Sequence, residues 1–153
     1  KDVEIAAKET LYQGHYSCHK YKLRYKLFSG QLGAWLEREQ IQARDASAVL
    51  LYDYHQQRVV MVEQFRVGPL QSGQALWLLE IVAGYIDPGE LPQAAAYREA
   101  LEEADCRIQH LIPICQYYGS PGGLSEKTWI YCGLVDSRFV GGLHGNPSEH
   151  EDI

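Results

Sequence analysis

The sequence predicts an α+β fold with a mixed sheet, preceded by an N-terminal region of antiparallel strands. Polar and apolar residues alternate in most segments of the chain, as strands with one buried face require. One segment, 92–104, follows turn signals and has apolar residues at the spacing of a helix. The 153 residues suffice for a buried core, and no repeat or low-complexity tract divides them.

The N-terminal region is predicted to consist of three strands. Alternation with many aromatic residues predicts strands at 3–12 and 16–28, and a further segment, 33–41, predicts a strand at the sheet edge. We therefore expect an N-terminal strand region at 1–45 and a second domain at 46–153.

The rest of the chain alternates strand patterns with turn signals. The segments 47–54 and 58–65 are rich in Val and Leu and predict a buried hairpin. A strand at 76–82 is predicted to end in a turn at Ala83 and Gly84. Further strands are predicted at 111–118 and 128–135, followed by a long loop at 136–152.

Composition limits the classes of partner. A net charge of −6 without a row of Lys and Arg argues against nucleic acid. The most apolar stretch, 75–86, is interrupted by Glu80 and is too short to span a membrane, and the N-terminus does not resemble a signal peptide. We therefore expect a cytoplasmic protein. Four cysteines without a CxxC pair predict buried thiols: Cys18, Cys106, Cys115 and Cys132.

Three carboxylates fall within one turn of the predicted helix. Pro92 suits its first turn, and Glu99, Glu102 and Glu103 follow at positions that share one side. Oxygen ligands of this kind suit Mg²⁺ or Mn²⁺. The alternative is a solvated helix face with ion pairs four residues apart, such as Arg98 with Glu102.

The spacing around this helix favours the metal site. It resembles the Nudix box, G-x5-E-x7-R-E-U-x-E-E-x-G-U, where U is a bulky apolar residue. Two positions depart from the pattern: Asp105 replaces the closing glycine, and Ala100 fills a U position. Asp tolerates the left-handed conformation better than most residues other than glycine, so we expect the change to cost some stability and to leave the carboxylates in place. The matching residues are Gly84, Glu90, Arg98, Glu99, Glu102 and Glu103.

Segments outside the box indicate which subgroup of the family the chain resembles. The lead-in LLEIVAG, the SPGGLSE segment with Pro121, and the later GLHG and EHED segments are similar to those of the bacterial ADP-ribose pyrophosphatase subgroup. This resemblance implies the Nudix α/β/α sandwich. Its second main helix is expected beyond Ile153, so we expect the Nudix domain to be truncated at the C-terminus.

The resemblance also implies roles for single residues at the metal site. The carbonyl of Ala83 with Glu99 and Glu103 would bind metal, and Glu102 would assist at a further ion. Glu90 and Arg98 would brace the loop and helix around them. The base that deprotonates the attacking water would be Glu149, with Glu151 as its nearest competitor.

Substrate contacts are implied in the same way. Arg66 would reach the diphosphate or the ribose phosphate, and one of His15 and Tyr16 would stack on adenine. Arg38 and Glu39 would come from the second subunit of a homodimer. Two further positions are assigned to substrate binding: Tyr85 and Glu126.

The implied reaction is Mg²⁺-dependent hydrolysis of ADP-ribose to AMP and ribose 5-phosphate, with two or three ions and with Mn²⁺ as a possible replacement. Three alternatives stay open. The first is hydrolysis of another nucleoside diphosphate derivative such as a nucleotide sugar or NADH. The second is binding of ADP-ribose without turnover, and the third is a structural domain with an acidic helix.

Overall fold

The structure is a computed structural model that describes residues 2–146 and 152–153. Two compact units make up the chain. The first comprises Lys1–Asp45 with Tyr118–Lys127, and the second comprises Ala46–Tyr117 with Thr128–Ile153.

The first unit is built on a three-stranded antiparallel sheet. Its strands are β1 (Val3–Gln13), β2 (Ser17–Tyr25) and β3 (Leu36–Gln42), with β2 in the centre. This arrangement confirms the three predicted strands and the edge position of the third. The second strand ends earlier than predicted, because the chain turns back after Tyr25 and Leu27 N–H donates to the Gln31 carbonyl at 2.8 Å.

The second unit contains a five-stranded mixed sheet, a two-stranded ribbon and one described α-helix. In the large sheet the strand order is β5-β4-β10-β9, and β8 also pairs with β4. Strand β10 runs parallel to β4, whereas β5 and β8 run antiparallel to it, so the predicted mixed sheet is confirmed. The elements are β4 (Ala46–Asp53), β5 (Arg58–Val60), β6 (Val62–Phe65), β7 (Trp77–Glu80), β8 (Val82–Tyr85), α1 (Pro92–Ala104), β9 (His110–Tyr118) and β10 (Lys127–Leu134).

The ribbon of β6 and β7 leaves the large sheet at two single residues. Strand β5 pairs with the end of β4 and β8 with its beginning, both along one edge. Between them the chain changes partners at Met61 and again at Ile81, so that β6 pairs with β7. The predicted continuous strands at 58–65 and 76–82 are therefore wrong. Periodicity does not report which neighbour a strand pairs with.

The predicted turn at Ala83 and Gly84 is also wrong. Both residues lie inside β8 and pair with β4, opposite Ala48 and Ser47. The turn comes later, after Tyr85, where Glu90 N–H donates to the Asp87 carbonyl at 2.9 Å. A glycine inside a strand often marks a close approach of another group.

Helix α1 has the predicted limits. Pro92 occupies its first turn, and Asp105 ends it in the left-handed conformation, with φ 48° and ψ 32°. The N–H of Asp105 donates to the Leu101 carbonyl at 3.1 Å, so aspartate fills the glycine position as expected. No helix in the described part of the chain has the length and apolar character needed to cross a membrane.

The buried face of α1 consists of alanines. Ala96, Ala100 and Ala104 belong to one core cluster with Val49 and Val82 from the sheet. Small side chains let the helix axis lie close to β4 and β8, which also brings the helix carboxylates close to the backbone of β8. Ala100 therefore supports the fold at a position where the box pattern has a larger residue.

The four cysteines are free thiols, but the prediction that all are buried is wrong. Only Cys106 is buried, and burial raises the pKa of its thiol to about 11. Cys18 and Cys132 are partly buried, and Cys115 is exposed on β9. The alternation of β9 did not reveal how much of that strand lies open.

A buried aspartate joins the β4–β5 turn to the loop after β10. Asp53 Oδ1 accepts the N–H groups of His55 and Gln56 at 2.9 and 3.0 Å. Its Oδ2 accepts the N–H and the hydroxyl of Ser137, both at 2.8 Å. The N–H groups of Ser137 and Gln56 hold the pKa of Asp53 well below its ordinary value of 3.8.

This depressed pKa predicts a pH-dependent contribution to stability. Because the folded chain favours the charged carboxylate, the contribution is complete above pH 3.8 and is lost as the pH falls toward the lower folded pKa. We expect Asp53→Asn to lower Tm at pH 7, and the gap to wild type to narrow below pH 3.8. Thermal melts of both proteins across the acid range measure it. A constant gap would contradict the assignment.

Candidate active site

Two helix carboxylates are buried against strand β8. Glu99 and Glu103 are only 8% and 3% exposed, although α1 lies at the surface. The Glu103 carboxylate accepts the N–H of Ala83 at 3.1 Å, and the Glu99 carboxylate lies against the Cα of Gly84. Burial of two neighbouring acids contradicts a purely solvated helix face, because buried charges are ordinarily paired or bound to metal.

Gly84 is required by this close approach. A Cβ atom at position 84 would overlap the carboxylate of Glu99. The Glu99 carboxylate can therefore occupy this position only where residue 84 has no side chain. The position is set by contact with Glu99, since Gly84 does not have a positive φ.

We expect Gly84→Ala to displace Glu99 and to lower kcat/KM by about 100-fold for the hydrolysis predicted from the sequence. Misplacement of a group at the active site by about 1 Å can have an effect of that size. Steady-state kinetics measure it. Gly68→Ala is the matched control, since a Cβ there meets nothing within 4 Å. Equal kinetics for the two variants would contradict the requirement for glycine at position 84.

Arg98 links the helix, the preceding loop and β8. Its Nε and Nη2 donate to the two oxygens of Glu90 at 3.0 and 2.9 Å. Nη2 also donates to the Tyr85 carbonyl at 2.9 Å, and Nη1 donates to Glu99 and Glu102 at 2.6 and 3.0 Å. One guanidinium therefore contacts three of the carboxylates, those of Glu90, Glu99 and Glu102. The predicted pair of Arg98 with Glu102 is confirmed as one contact among these.

These contacts also set the charge states of the bracing pair. The guanidinium of Arg98, with the N–H of Asp87, holds the pKa of the Glu90 carboxyl below its ordinary value of 4.5. The same contact with Glu90 raises the pKa of Arg98. Both groups are therefore charged at neutral pH, and the loop before α1 is fixed to it by a bidentate ion pair.

The donor set fits a hard divalent cation in its chemistry, since it offers carboxylate oxygens beside backbone oxygens. Within 2–146 and 152–153, no group of three or more His, Cys, Asp or Glu side chains is arranged to hold a metal ion. The directions of the side chains account for this: Glu99 and Glu102 turn oxygens toward Arg98, and Glu103 turns one toward Ala83 N–H.

The ribbon carries the predicted phosphate contact. Arg66 forms a bidentate pair with Glu80, from Nε at 3.1 and 3.2 Å and from Nη2 at 2.8 Å. No pattern in the sequence indicated that Glu80 is the partner of Arg66. Tyr85 lies at the end of β8, where its carbonyl accepts from Arg98.

The remaining predicted substrate contacts lie in the first unit. His15 and Tyr16 connect β1 to β2, and their rings meet edge to face with centroids 4.7 Å apart. Arg38 and Glu39 are adjacent on β3, so their side chains point to opposite faces of the sheet. Glu126 belongs to the segment Tyr118–Lys127 of the same unit.

The predicted bases, Glu149 and Glu151, lie outside the described residues. The residues on both sides of that segment are tied together and to the helix. His144 and Ile153 exchange two backbone hydrogen bonds, at 2.7 and 3.1 Å, and Gly145 N–H donates to the Glu102 carbonyl at 3.1 Å. Gly145, four residues before Glu149 in the sequence, therefore lies next to the C-terminal end of α1, which the sequence pattern did not indicate.

A cavity of about 450 Å³ opens beside Glu103. Its walls come from the ribbon, the end of α1 and the loop after β10. Sequence reasoning missed this cleft, because its lining residues come from distant segments and carry no shared motif. They include Glu63, Trp77, Glu103, His144 and Ile153.

Known proteins resemble this chain in sequence and in fold. A family model described as the NUDIX domain matches residues 42–153. An ADP-ribose pyrophosphatase of Escherichia coli (strain K12) is 41% identical over 152 residues, covering 99% of this chain and 73% of that protein. A protein of the same name from Haemophilus influenzae is 37% identical over 156 residues, covering 100% of this chain and 72% of its own length.

Two further proteins are more distant. A GDP-mannose pyrophosphatase of Yersinia pestis is 32% identical over 124 residues, covering 80% of this chain and 62% of that protein. The crystal structure of an ADP compounds hydrolase matches with a TM-score of 0.65 at 20% identity, over 88% of this chain and 68% of that one, which shows a shared fold. The family model and the two more similar proteins together place the chain in the Nudix family.

Proposed function

We propose that this chain hydrolyses ADP-ribose to AMP and ribose 5-phosphate with the help of bound divalent metal. The observation that carries the proposal is the burial of Glu99 and Glu103 against the bare backbone at Gly84. Such a pair of acids suits a cation that in turn binds phosphate oxygens. The substrate class follows from the names of the relatives at 41% and 37% identity.

Each residue of the site has a distinct task in this proposal. Glu99, Glu103 and the carbonyl of Ala83 would hold Mg²⁺ or Mn²⁺, and Glu102 would assist at a further ion, giving two or three in all. Bound ions of this kind neutralise phosphate oxygens and lower the pKa of a bound water. Arg98 would keep the carboxylates in place.

Glu149 would take the proton from the attacking water, with Glu151 as its competitor. Three backbone hydrogen bonds support this assignment: His144 and Ile153, on either side of the segment, exchange two, and Gly145 N–H donates to the Glu102 carbonyl. A base that follows Gly145 so closely in sequence can approach a diphosphate held at the metal helix.

We also propose that the chain acts as a homodimer in which the N-terminal strand region 1–45 supplies Arg38 and Glu39 to the substrate of the other subunit. Strand β1 is exposed along its whole length, including Ile5 at 60% and Tyr12 at 62%. Apolar residues of this kind on an outer strand suit a subunit interface. Light scattering measures the oligomeric state, and a monomer would contradict this part of the proposal.

A substrate panel tests the reaction itself. ADP-ribose, GDP-mannose, NADH and a nucleoside triphosphate at equal concentration, each with Mg²⁺, are compared by product release. We expect the highest kcat/KM for ADP-ribose, with AMP and ribose 5-phosphate as products. Preference for GDP-mannose would favour the second candidate, which rests on the relative at 32% identity. Binding of ADP-ribose without turnover would instead indicate a non-catalytic module.

A further inference from the structure

The inner face of the β6–β7 ribbon is polar where a packed sheet face is ordinarily apolar. Val62 pairs with Glu80 and Gln64 with Leu78, so these residues share one face. The ladder continues as Arg66 N–H donates to the Leu76 carbonyl at 2.7 Å, which places Arg66 on that face too. Three polar side chains therefore share one side of a short ribbon: Gln64, Arg66 and Glu80.

Gln64 shows that this polarity does not serve stability alone. The residue is only 6% exposed. Its Nε2 has no hydrogen-bond acceptor among the described residues. A buried donor without an acceptor destabilises a fold, and an apolar side chain of the same size would pack there at less cost. Such a residue is typical of a site where function opposes stability.

The ion pair of Arg66 with Glu80, on the same face of the ribbon as Gln64, has a defined geometry. Glu80 contacts Arg66 through Nε and Nη2, the side edge of the guanidinium, and Nη1 takes no part in this pair. The two side chains are 41% and 28% exposed, so water reaches both. A bidentate contact restricts the orientation of an arginine far more than a single hydrogen bond does.

We propose that Glu80 is a positioning residue that orients Arg66 toward the diphosphate of the substrate. The inference rests on the proposed function, because it requires Arg66 to contact the substrate. Glu80 itself would not touch the substrate. It would hold the side edge of the guanidinium and so fix the orientation of Arg66 before the substrate arrives.

Two effects of Glu80 oppose each other, and their sizes decide the expected sign. A carboxylate beside Arg66 weakens its attraction for an anion, but the pair is partly exposed and solvent screens that effect. The ordering of a long side chain is not screened. Loss of Glu80 should therefore weaken substrate binding, by the roughly five- to tenfold that immobilising one side chain is worth.

A double-mutant cycle tests this inference. The four proteins are wild type, Glu80→Ala, Arg66→Ala and the double variant, each assayed with ADP-ribose and Mg²⁺. We expect Glu80→Ala to raise KM about five- to tenfold with little change in kcat, because an ordered Arg66 binds ground state and transition state alike. In the Arg66→Ala background, Glu80→Ala should have no further effect.

Two additional variants separate positioning from folding. Glu80→Gln keeps the size of the side chain and one acceptor oxygen, so its KM should fall between those of wild type and Glu80→Ala. Asp136→Asn is the matched control for Glu80→Gln, because it makes the same carboxylate-to-amide change in another bidentate pair of the same unit, that of Asp136 with Arg138. Its KM should stay at the wild-type value, and Tm is recorded for every variant.

The possible results distinguish the inference from the function on which it rests. An equal effect of Glu80→Ala in both backgrounds, an unchanged KM, or a lower KM would each overturn the positioning role while leaving ADP-ribose hydrolysis standing. A wild-type protein that does not hydrolyse ADP-ribose would overturn the proposed function, and the inference with it.

Discussion

Glu103→Gln is expected to lower kcat for ADP-ribose hydrolysis by at least about 100-fold and to shift the Mg²⁺ titration to higher concentration. Changes to residues that merely support metal ligands already cost about 10- to 100-fold, so loss of a ligand should exceed that. The substitution keeps the size of the side chain and an oxygen that can accept the Ala83 N–H. In the present structure this N–H lies 3.1 Å from the Glu103 carboxylate. The fold should therefore survive it.

Glu103→Asp separates charge from reach. It retains the negative charge but withdraws the carboxylate by one methylene, so we expect activity between those of wild type and Glu103→Gln, with partial recovery at high Mg²⁺. Circular dichroism checks that both variants are folded. A normal Mg²⁺ titration for Glu103→Gln would remove Glu103 from the set of metal ligands.

Glu149→Gln is the second change with a large expected effect. Removal of a general base ordinarily slows turnover by about 10²- to 10⁴-fold. Because Glu149 is not proposed as a metal ligand, the Mg²⁺ dependence should stay close to that of wild type. Single-turnover kinetics with ADP-ribose measure the chemical step directly.

Glu151→Gln is the matched comparison, since it makes the same change two residues further along the sequence. We expect it to slow turnover less than Glu149→Gln does. The reverse order would assign the base to Glu151. Wild-type rates in both variants would place the base elsewhere.

Much of the site was predictable because its residues are close in sequence. The helix limits followed from Pro92 and from the spacing of the acids, and Asp105 ends the helix as its tolerance of the left-handed region indicated. The bidentate partner of Arg98 was not identified as Glu90 by charge alone. The resemblance to the box implied that Glu90 and Arg98 brace the loop and helix, and their pairing with each other became evident only in the structure.

The missed features depend on contacts between distant segments. The pairing of Arg66 with Glu80 requires β6 and β7 to leave the large sheet together, and nothing in their alternation reports the change of partner at Met61. Likewise, the turn predicted at Gly84 is wrong. The glycine is needed there because the carboxylate of Glu99, fifteen residues away in sequence, lies against it, and not because the local backbone turns.

The departure of the ribbon from the large sheet has a consequence for how specificity can change. Strand β4 holds β5 and β8 at its edge, whereas β6 and β7 bond only to each other in the described ladders. In the proposed site, Arg66 on the ribbon would contact the diphosphate, whereas α1 and β8 would hold the metal. Because the two parts share no ladder in the described residues, substitutions around Arg66 would alter which diphosphate is accepted without disturbing the strands that support α1.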